Sequence, residues 1–113
     1  MKLLSVCIPV YNEENNVTNT YETIKKLLDE NLINLDYEII FADNHSIDRT
    51  ESIIENICSK DKKVKYIRYN KNIGYDRSIL QAYINSSGDA VVSIDCDLQD
   101  SPDLILNFVE KWK

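Results

Sequence analysis

Glycine is nearly absent from this chain: 113 residues contain only Gly74 and Gly88. Phosphate loops of the Walker or dinucleotide-binding type need closely spaced glycines. Neither can be written here, so any phosphate must be held by a metal or by side chains. Histidine occurs once, as His45 in a polar stretch with no Ser or Cys partner nearby in sequence. It reads as a solvated loop residue, and no nucleophile elbow is present. The three cysteines, Cys7, Cys58 and Cys96, are odd in number, widely spaced and form no CxxC. They read as reduced, mostly buried thiols of a cytoplasmic protein, with neither disulfide nor zinc. Positive charge is also scarce. Thirteen Lys and Arg face nineteen Asp and Glu, a net charge of −6, which argues against nucleic acid as the main partner. No apolar run approaches the roughly 20 residues of a membrane-spanning helix. The apolar start resembles a signal peptide only until Pro9, Asn12, Glu13 and Glu14 arrive, so a buried first strand explains it better.

What the chain does have is alternation. Leu3 to Pro9 is an apolar run, expected to be a strand. Val17, Tyr21, Ile24 and Leu28 recur at helical spacing, fading around Asn31 to Asn34. Tyr37 to Asp43 reads as a second strand ending on an acid, followed by a loop of helix-capping residues. Thr50, Ile53, Ile54 and Ile57 mark a helix. Val64 to Tyr69 alternates and reads as a strand near an edge. The loop from Asn70 to Tyr75 contains Gly74, a candidate for positive φ. Ile79, Leu80, Tyr83 and Ile84 give the apolar face of a third helix, with Ser86-Ser87-Gly88 as its C-cap. A last strand opens at Ala90, and Leu104, Ile105, Phe108, Val109 and Trp112 form a last helix. The fold expected is α/β: a mostly parallel, Rossmann-like sheet of about four strands with helices on both faces.

The most informative stretch runs from Ala90 to Pro102. A β-branched run stops at Asp95 and Asp97, expected at the last position of the strand and just beyond it. Ligands of open α/β sheets bind outside the carboxyl ends of the strands. Asp95, Asp97, Gln99 and Asp100 are therefore delivered to that rim, all as oxygen donors suited to Mg²⁺ or Mn²⁺. The same stretch also reads as a polar loop capping the next helix, with Ser101 at the N-cap and Pro102 at the first helical position. Cys96 is expected to point back into the core. Asp43 has two readings, a cap for the following helix or an acceptor for a nucleobase N–H. Arg77 and Lys71 are the nearest basic candidates for a diphosphate.

Four segments in order carry a resemblance. They are Ser5 to Glu14, Tyr37 to Thr50, Asn72 to Tyr75, and Gly88 to Pro102. Together they resemble the N-terminal half of an inverting family 2 glycosyltransferase of GT-A-type fold. The similarity is greatest to the branch that moves a sugar onto a polyprenyl phosphate, the dolichol-phosphate mannosyltransferase and bactoprenol glucosyltransferase group. The resemblance implies that Pro9, Tyr11 and Glu13 line a nucleotide pocket and that Asp43 recognises the base. It places Asp95 near ribose and metal, and makes Asp97 the principal metal ligand with Gln99 assisting. The implied donor is a UDP- or GDP-sugar with Mg²⁺ or Mn²⁺; the implied acceptor is a lipid phosphate or a glycan.

Two departures stand out. Where the family usually reads Asp-Asp-Gly-Ser, this chain has Asp43-Asn44-His45-Ser46, so one carboxylate becomes an amide and His45 stands where a glycine is usual. The family's domain is also longer. Residues 1–113 are therefore expected to be a truncated donor-binding half, with the acceptor half and general base beyond Lys113 and no catalytic residue within. Such a chain is expected to bind donor weakly, transfer nothing by itself, leave Phe108 and Trp112 partly exposed, and be able to form a homodimer. Its parent is expected at the cytoplasmic face of a membrane. The competing readings are a non-catalytic nucleotide-sugar-binding or interaction module, a phosphatase with Asp95 as nucleophile, and a phospho-acceptor signalling domain.

Overall fold

The computed structural model describes residues 2–32, 34–99 and 101–112. Its elements alternate as the apolar pattern predicts: β1 (Lys2–Val10), α1 (Val17–Asn31), β2 (Leu35–Asp43), α2 (Thr50–Lys60), β3 (Val64–Arg68), α3 (Tyr75–Ile84), β4 (Ala90–Ser93) and α4 (Asp103–Trp112). The four strands form one parallel sheet in the order β3-β2-β1-β4. β3 is thus an edge strand, as its polar alternation indicated.

The order dictates where the helices go. From β1 to β3 the chain steps one way across the sheet, then returns past β1 to β4. Right-handed crossovers in opposite directions put their helices on opposite faces. One face carries Leu4, Val6 and Ile8 of β1 and Ile39 and Phe41 of β2. These pack with Ile24 and Leu28 of α1, Ile54 of α2 and Ile105 of α4 in the main core. The other face carries Cys7, Ile40 and Ala42, packed on Ala82 of α3. Phe108 and Trp112 lie half-buried against the main core, as expected.

Two expectations for α3 need correction. Its buried residues are the small Ser78 and Ala82, whereas Leu80 and Ile84 are 55% and 64% exposed. The helix meets β1 and β2 through these small residues, with Ala82 packed on Cys7, Ile40 and Ala42. Gly88 does not cap it either, since Asn85 is the C-cap. Gly88 instead approaches β1, where an added Cβ would stand 2.4 Å from Ser5 Oγ and 2.8 Å from Ser5 N.

Tyr75 belongs to α3 rather than to the preceding loop, because Gly74 at φ +86° turns the chain into the helix one turn early. β4 likewise stops at Ser93, short of Asp95. The reason lies in β1. Cys7 accepts from Ile94 N–H at 3.0 Å, the last bond between β1 and β4. Two residues on, the donor facing β4 would be Pro9, which has no N–H. Pairing with β2 continues to Val10 and Asp43. Proline therefore ends one ladder but not the other, and a crevice opens between β1 and β4. That crevice is the point where the strand order reverses, the usual ligand site of open α/β sheets.

Candidate donor site

The crevice is a cleft of about 380 Å³. β1 supplies Pro9 and Val10, and the loop after it Tyr11 and Glu13; the loop after β4 supplies Asp95, Cys96 and Asp97. Five of the seven residues expected at the site, Pro9, Tyr11, Glu13, Asp95 and Asp97, line this one cleft. Asn44, Asn72, Tyr75 and Ser78 complete it.

Asp97 is exposed at the rim, and its Oδ1 accepts from the N–H of Gln99 at 3.2 Å. Asp95 is half-buried and accepts from the Tyr75 hydroxyl at 2.7 Å. That bond, followed by burial, pushes the Tyr75 phenol up to about 12. Between the two acids Cys96 turns into the core, as expected, and burial pushes its thiol up to about 12. Cys7 is raised to about 12 in the same way, so both are inert, buried thiols.

Asp43 and Gln99 do not line the cleft. Gln99 is exposed. Asp43 is wholly buried. Its Oδ1 accepts from Ser46 N–H at 2.8 Å and Ser46 Oγ–H at 2.7 Å. Its Oδ2 accepts from the Tyr66 hydroxyl and faces Arg68 Nη1 at 3.5 Å. A carboxylate has about four acceptor positions; three of these take hydrogen bonds, and the Arg68 cation stands beside them. Asp43 is thus bonded within the protein, to Ser46 and Tyr66. Its work is local: Ser46 Oγ accepts in turn from Asn12 N–H at 2.8 Å, which fixes the loop bearing Tyr11 and Glu13. Asp100 lies outside the described residues. Lys71 and Arg77 are exposed and do not line the cleft.

His45 is not simply solvated. Its ring Nδ1 lies 3.1 Å from the Tyr69 carbonyl and its backbone is left-handed, at φ +73°. Asn44 gains a role no carboxylate can fill. Its Nδ2 donates to Asn72 Oδ1 at 2.7 Å while its Oδ1 accepts from Ile73 N–H at 2.8 Å. Asn72 Oδ1 also accepts from Gly74 N–H at 2.9 Å. This clasp fixes the entry to α3 and with it Tyr75. The block from Asn72 to Tyr75 stood out in sequence without a role attached; Ser78 carried no sequence signal at all. Ser101 Oγ accepts from Asp103 N–H at 3.3 Å, so the capping reading of this stretch also holds.

Among the described residues, every loop at this rim contains one left-handed residue: Asn12 (φ +52°) after β1, His45 after β2, Gly74 after β3 and Leu98 (φ +56°) after β4.

Among the described residues the cleft is lined by three carboxylates, Glu13, Asp95 and Asp97, and by no Lys or Arg. Alone it repels a diphosphate. Among the described residues no three His, Cys, Asp or Glu converge to hold a metal ion. The donor chemistry still fits Mg²⁺ or Mn²⁺, because Mg²⁺ characteristically takes one or two carboxylates and completes its shell with phosphate oxygens and water.

Comparison with known proteins gives the family and the fold type. The family model described as glycosyl transferase family 2 matches residues 5–113. The chain belongs to that family, and its α/β fold is of GT-A type. It is 39% identical over 109 residues to the uncharacterized glycosyltransferase YkcC of Bacillus subtilis, covering 96% of this chain and 33% of that protein. It is 34% identical to the bactoprenol glucosyl transferase of Shigella phage SfV, covering 97% of this chain and 35% of that protein. The chain thus spans about a third of the length of the curated relatives it matches. Among solved structures, the mannosyltransferase PcManGT from Pyrobaculum calidifontis, in complex with GDP-Man and Mn²⁺, matches with a TM-score of 0.76 at 21% identity. That match covers 95% of this chain and 31% of PcManGT. Glucosyl-3-phosphoglycerate synthase from Mycobacterium tuberculosis, in complex with Mn²⁺, UDP and glucosyl-3-phosphoglycerate, matches with a TM-score of 0.72 at 26% identity. It covers 98% of this chain and 39% of the synthase. No helix among the described residues is long and apolar enough to cross a membrane.

Proposed function

We propose that this chain is the donor-binding half of a metal-assisted, inverting glycosyltransferase that takes a UDP- or GDP-sugar. In this reading the longer protein passes the sugar to a polyprenyl phosphate or a cell-surface glycan at the cytoplasmic face of a membrane, and the 113 residues alone transfer nothing. The observation that carries the reading is the cleft between β1 and β4, with Asp95 and Asp97 at its mouth. The GDP-Man and UDP complexes of the structural neighbours and the bactoprenol glucosyl transferases among the relatives support it.

Each residue has a task. Asp97 offers its exposed oxygens to a divalent cation, and Asp95 is held in place for the same cation by Tyr75. When bound, Mg²⁺ or Mn²⁺ supplies Lewis-acid neutralisation of the leaving diphosphate. Pro9 and Tyr11 wall the nucleotide, and Glu13 closes the cleft from the α1 side. The general base for the acceptor belongs to the remainder of the parent.

Calorimetric titration with UDP, GDP and their sugar conjugates, with and without Mn²⁺, tests this. Metal-dependent binding of one nucleotide, lost in Asp97→Ala, is expected. Equal binding by Asp97→Ala, or none by the wild-type chain, overturns the reading. Sugar transfer by the 113 residues alone overturns the claim that they are inactive.

A further inference from the structure

The floor of the cleft holds one group that nothing above uses. Ser78 sits in the first turn of α3, one turn beyond Tyr75, and is 1% exposed. Its backbone is fully engaged: the N–H donates to the Gly74 carbonyl at 3.0 Å, and the carbonyl accepts from the Tyr69 hydroxyl at 2.8 Å. A helical serine often turns its hydroxyl back onto the carbonyl one turn earlier; this one does not. Among the described residues, Ser78 Oγ is the one buried side-chain polar atom with no hydrogen-bond partner in the protein. The contrast with other buried polar side chains is sharp, because Ser5, Glu38, Asp43, Ser46 and Thr50 are all buried and all bonded. A buried hydroxyl left unpaired opposes folding, yet this one lines the cleft.

We propose that Ser78 Oγ is a hydrogen-bonding contact for the nucleoside portion of the bound donor. This rests on the donor-site reading above. Depth and charge select the nucleoside. Asp97 is exposed at the rim, where a charged diphosphate and its cation keep contact with water. Ser78 is neutral and lies at the floor, with the amide side chains of Asn44 and Asn72 in the same lining. Burying a charge there is costly, whereas a neutral group that finds a hydrogen bond goes in readily. A hydroxyl both donates and accepts, so it serves a ribose hydroxyl or a polar edge of the base.

The test is Ser78→Ala, titrated with UMP, GMP and their 2′-deoxy forms in EDTA and in Mg²⁺, beside a thermal melt of the free chain. Affinity for the preferred nucleotide is expected to fall about 3- to 10-fold, by the same factor with and without metal. The melting temperature of the free variant is expected to stay level or rise, because an unpaired polar group has been removed. If the variant and wild type discriminate equally against the 2′-deoxy form, the contact is to the base or another ribose hydroxyl; if the variant no longer discriminates, it is to the 2′-hydroxyl. Unchanged affinity overturns the inference. So does a loss confined to Mg²⁺, which would point to the diphosphate, or a lowered melting temperature, which would make the hydroxyl structural. If wild type binds no nucleotide, the donor-site reading itself falls and this inference with it. If wild type binds and Ser78→Ala binds equally, only the serine assignment falls.

Discussion

The loops after β2 and β4 begin alike in sequence, with an apolar strand running into an acid, and end as opposites. Asp43 is wholly enclosed, with Ser46, Tyr66 and Arg68 occupying both oxygens. Among the described residues Asp95 has one side-chain partner, and Asp97 is exposed. Parallel geometry brings all three to the same rim. What separates them is how many protein donors surround each carboxylate. An acid supplied with donors by its own chain becomes a joint of the scaffold; an acid left short of them faces the cleft.

The largest effect should come from removing the enclosed acid. Asp43→Ala strands Arg68, Tyr66 and Ser46, and is expected to cost about 3 kcal/mol in urea unfolding. If Asp43 instead serves the base, Asp43→Asn should abolish nucleotide binding while leaving the denaturation midpoint almost unchanged. Asp97→Ala should do the reverse of Asp43→Ala. Metal-dependent nucleotide affinity is expected to fall at least about tenfold, with stability within about 0.5 kcal/mol of wild type.

A smaller effect is expected from Asn44→Asp, which restores the residue usual in the family but removes the amide N–H that Asn44 donates to Asn72. The cost should be about 1 kcal/mol, with faster amide hydrogen exchange at Ile73 and Gly74. The gentlest probe is acid. Burial would raise Glu38, but hydrogen bonds from Lys65 Nζ, Ser5 Oγ and the Ser87 N–H outweigh it and hold its carboxyl below the usual range. Asp48 and Asp61 are lowered likewise, their hydrogen bonds prevailing over burial. The unfolded chain therefore binds protons first. Stability from these groups is full above about pH 5 and is lost as pH falls through about 4 and below. Glu38→Gln should flatten that fall.

The sequence revealed the sheet well because a parallel strand buried on both faces reads as an unbroken apolar run, as Val6 to Val10 and Ile39 to Ala42 do. It misjudged α3, where a helical stripe of Ile79, Leu80, Tyr83 and Ile84 resembled a buried face. The helix meets β1 and β2 through Ser78 and Ala82 instead, and residue size at a contact is invisible to periodicity. The rim acids were legible because strand ends can be read from sequence. The enclosure of Asp43 was not, since Tyr66 and Arg68 reach it from another strand. Asn44 was noticed as a lost carboxylate; that its amide clasps Asn72, 28 residues away, emerges only in three dimensions.

The left-handed residues at Asn12, His45, Gly74 and Leu98 have a consequence for how a ligand is captured. Outside glycine such backbone costs about 1–3 kcal/mol a residue, so the surrounding fold must enforce it. Asn12 and Gly74 are held by hydrogen bonds reaching into Ser46 and Asn72, and His45 by its contact with Tyr69. The loops are thus bent before any ligand arrives, and their loss of freedom falls within folding rather than binding. A nucleotide entering the cleft meets a mould already set: association should be a single fast phase, with an entropy close to that of immobilising the nucleotide alone.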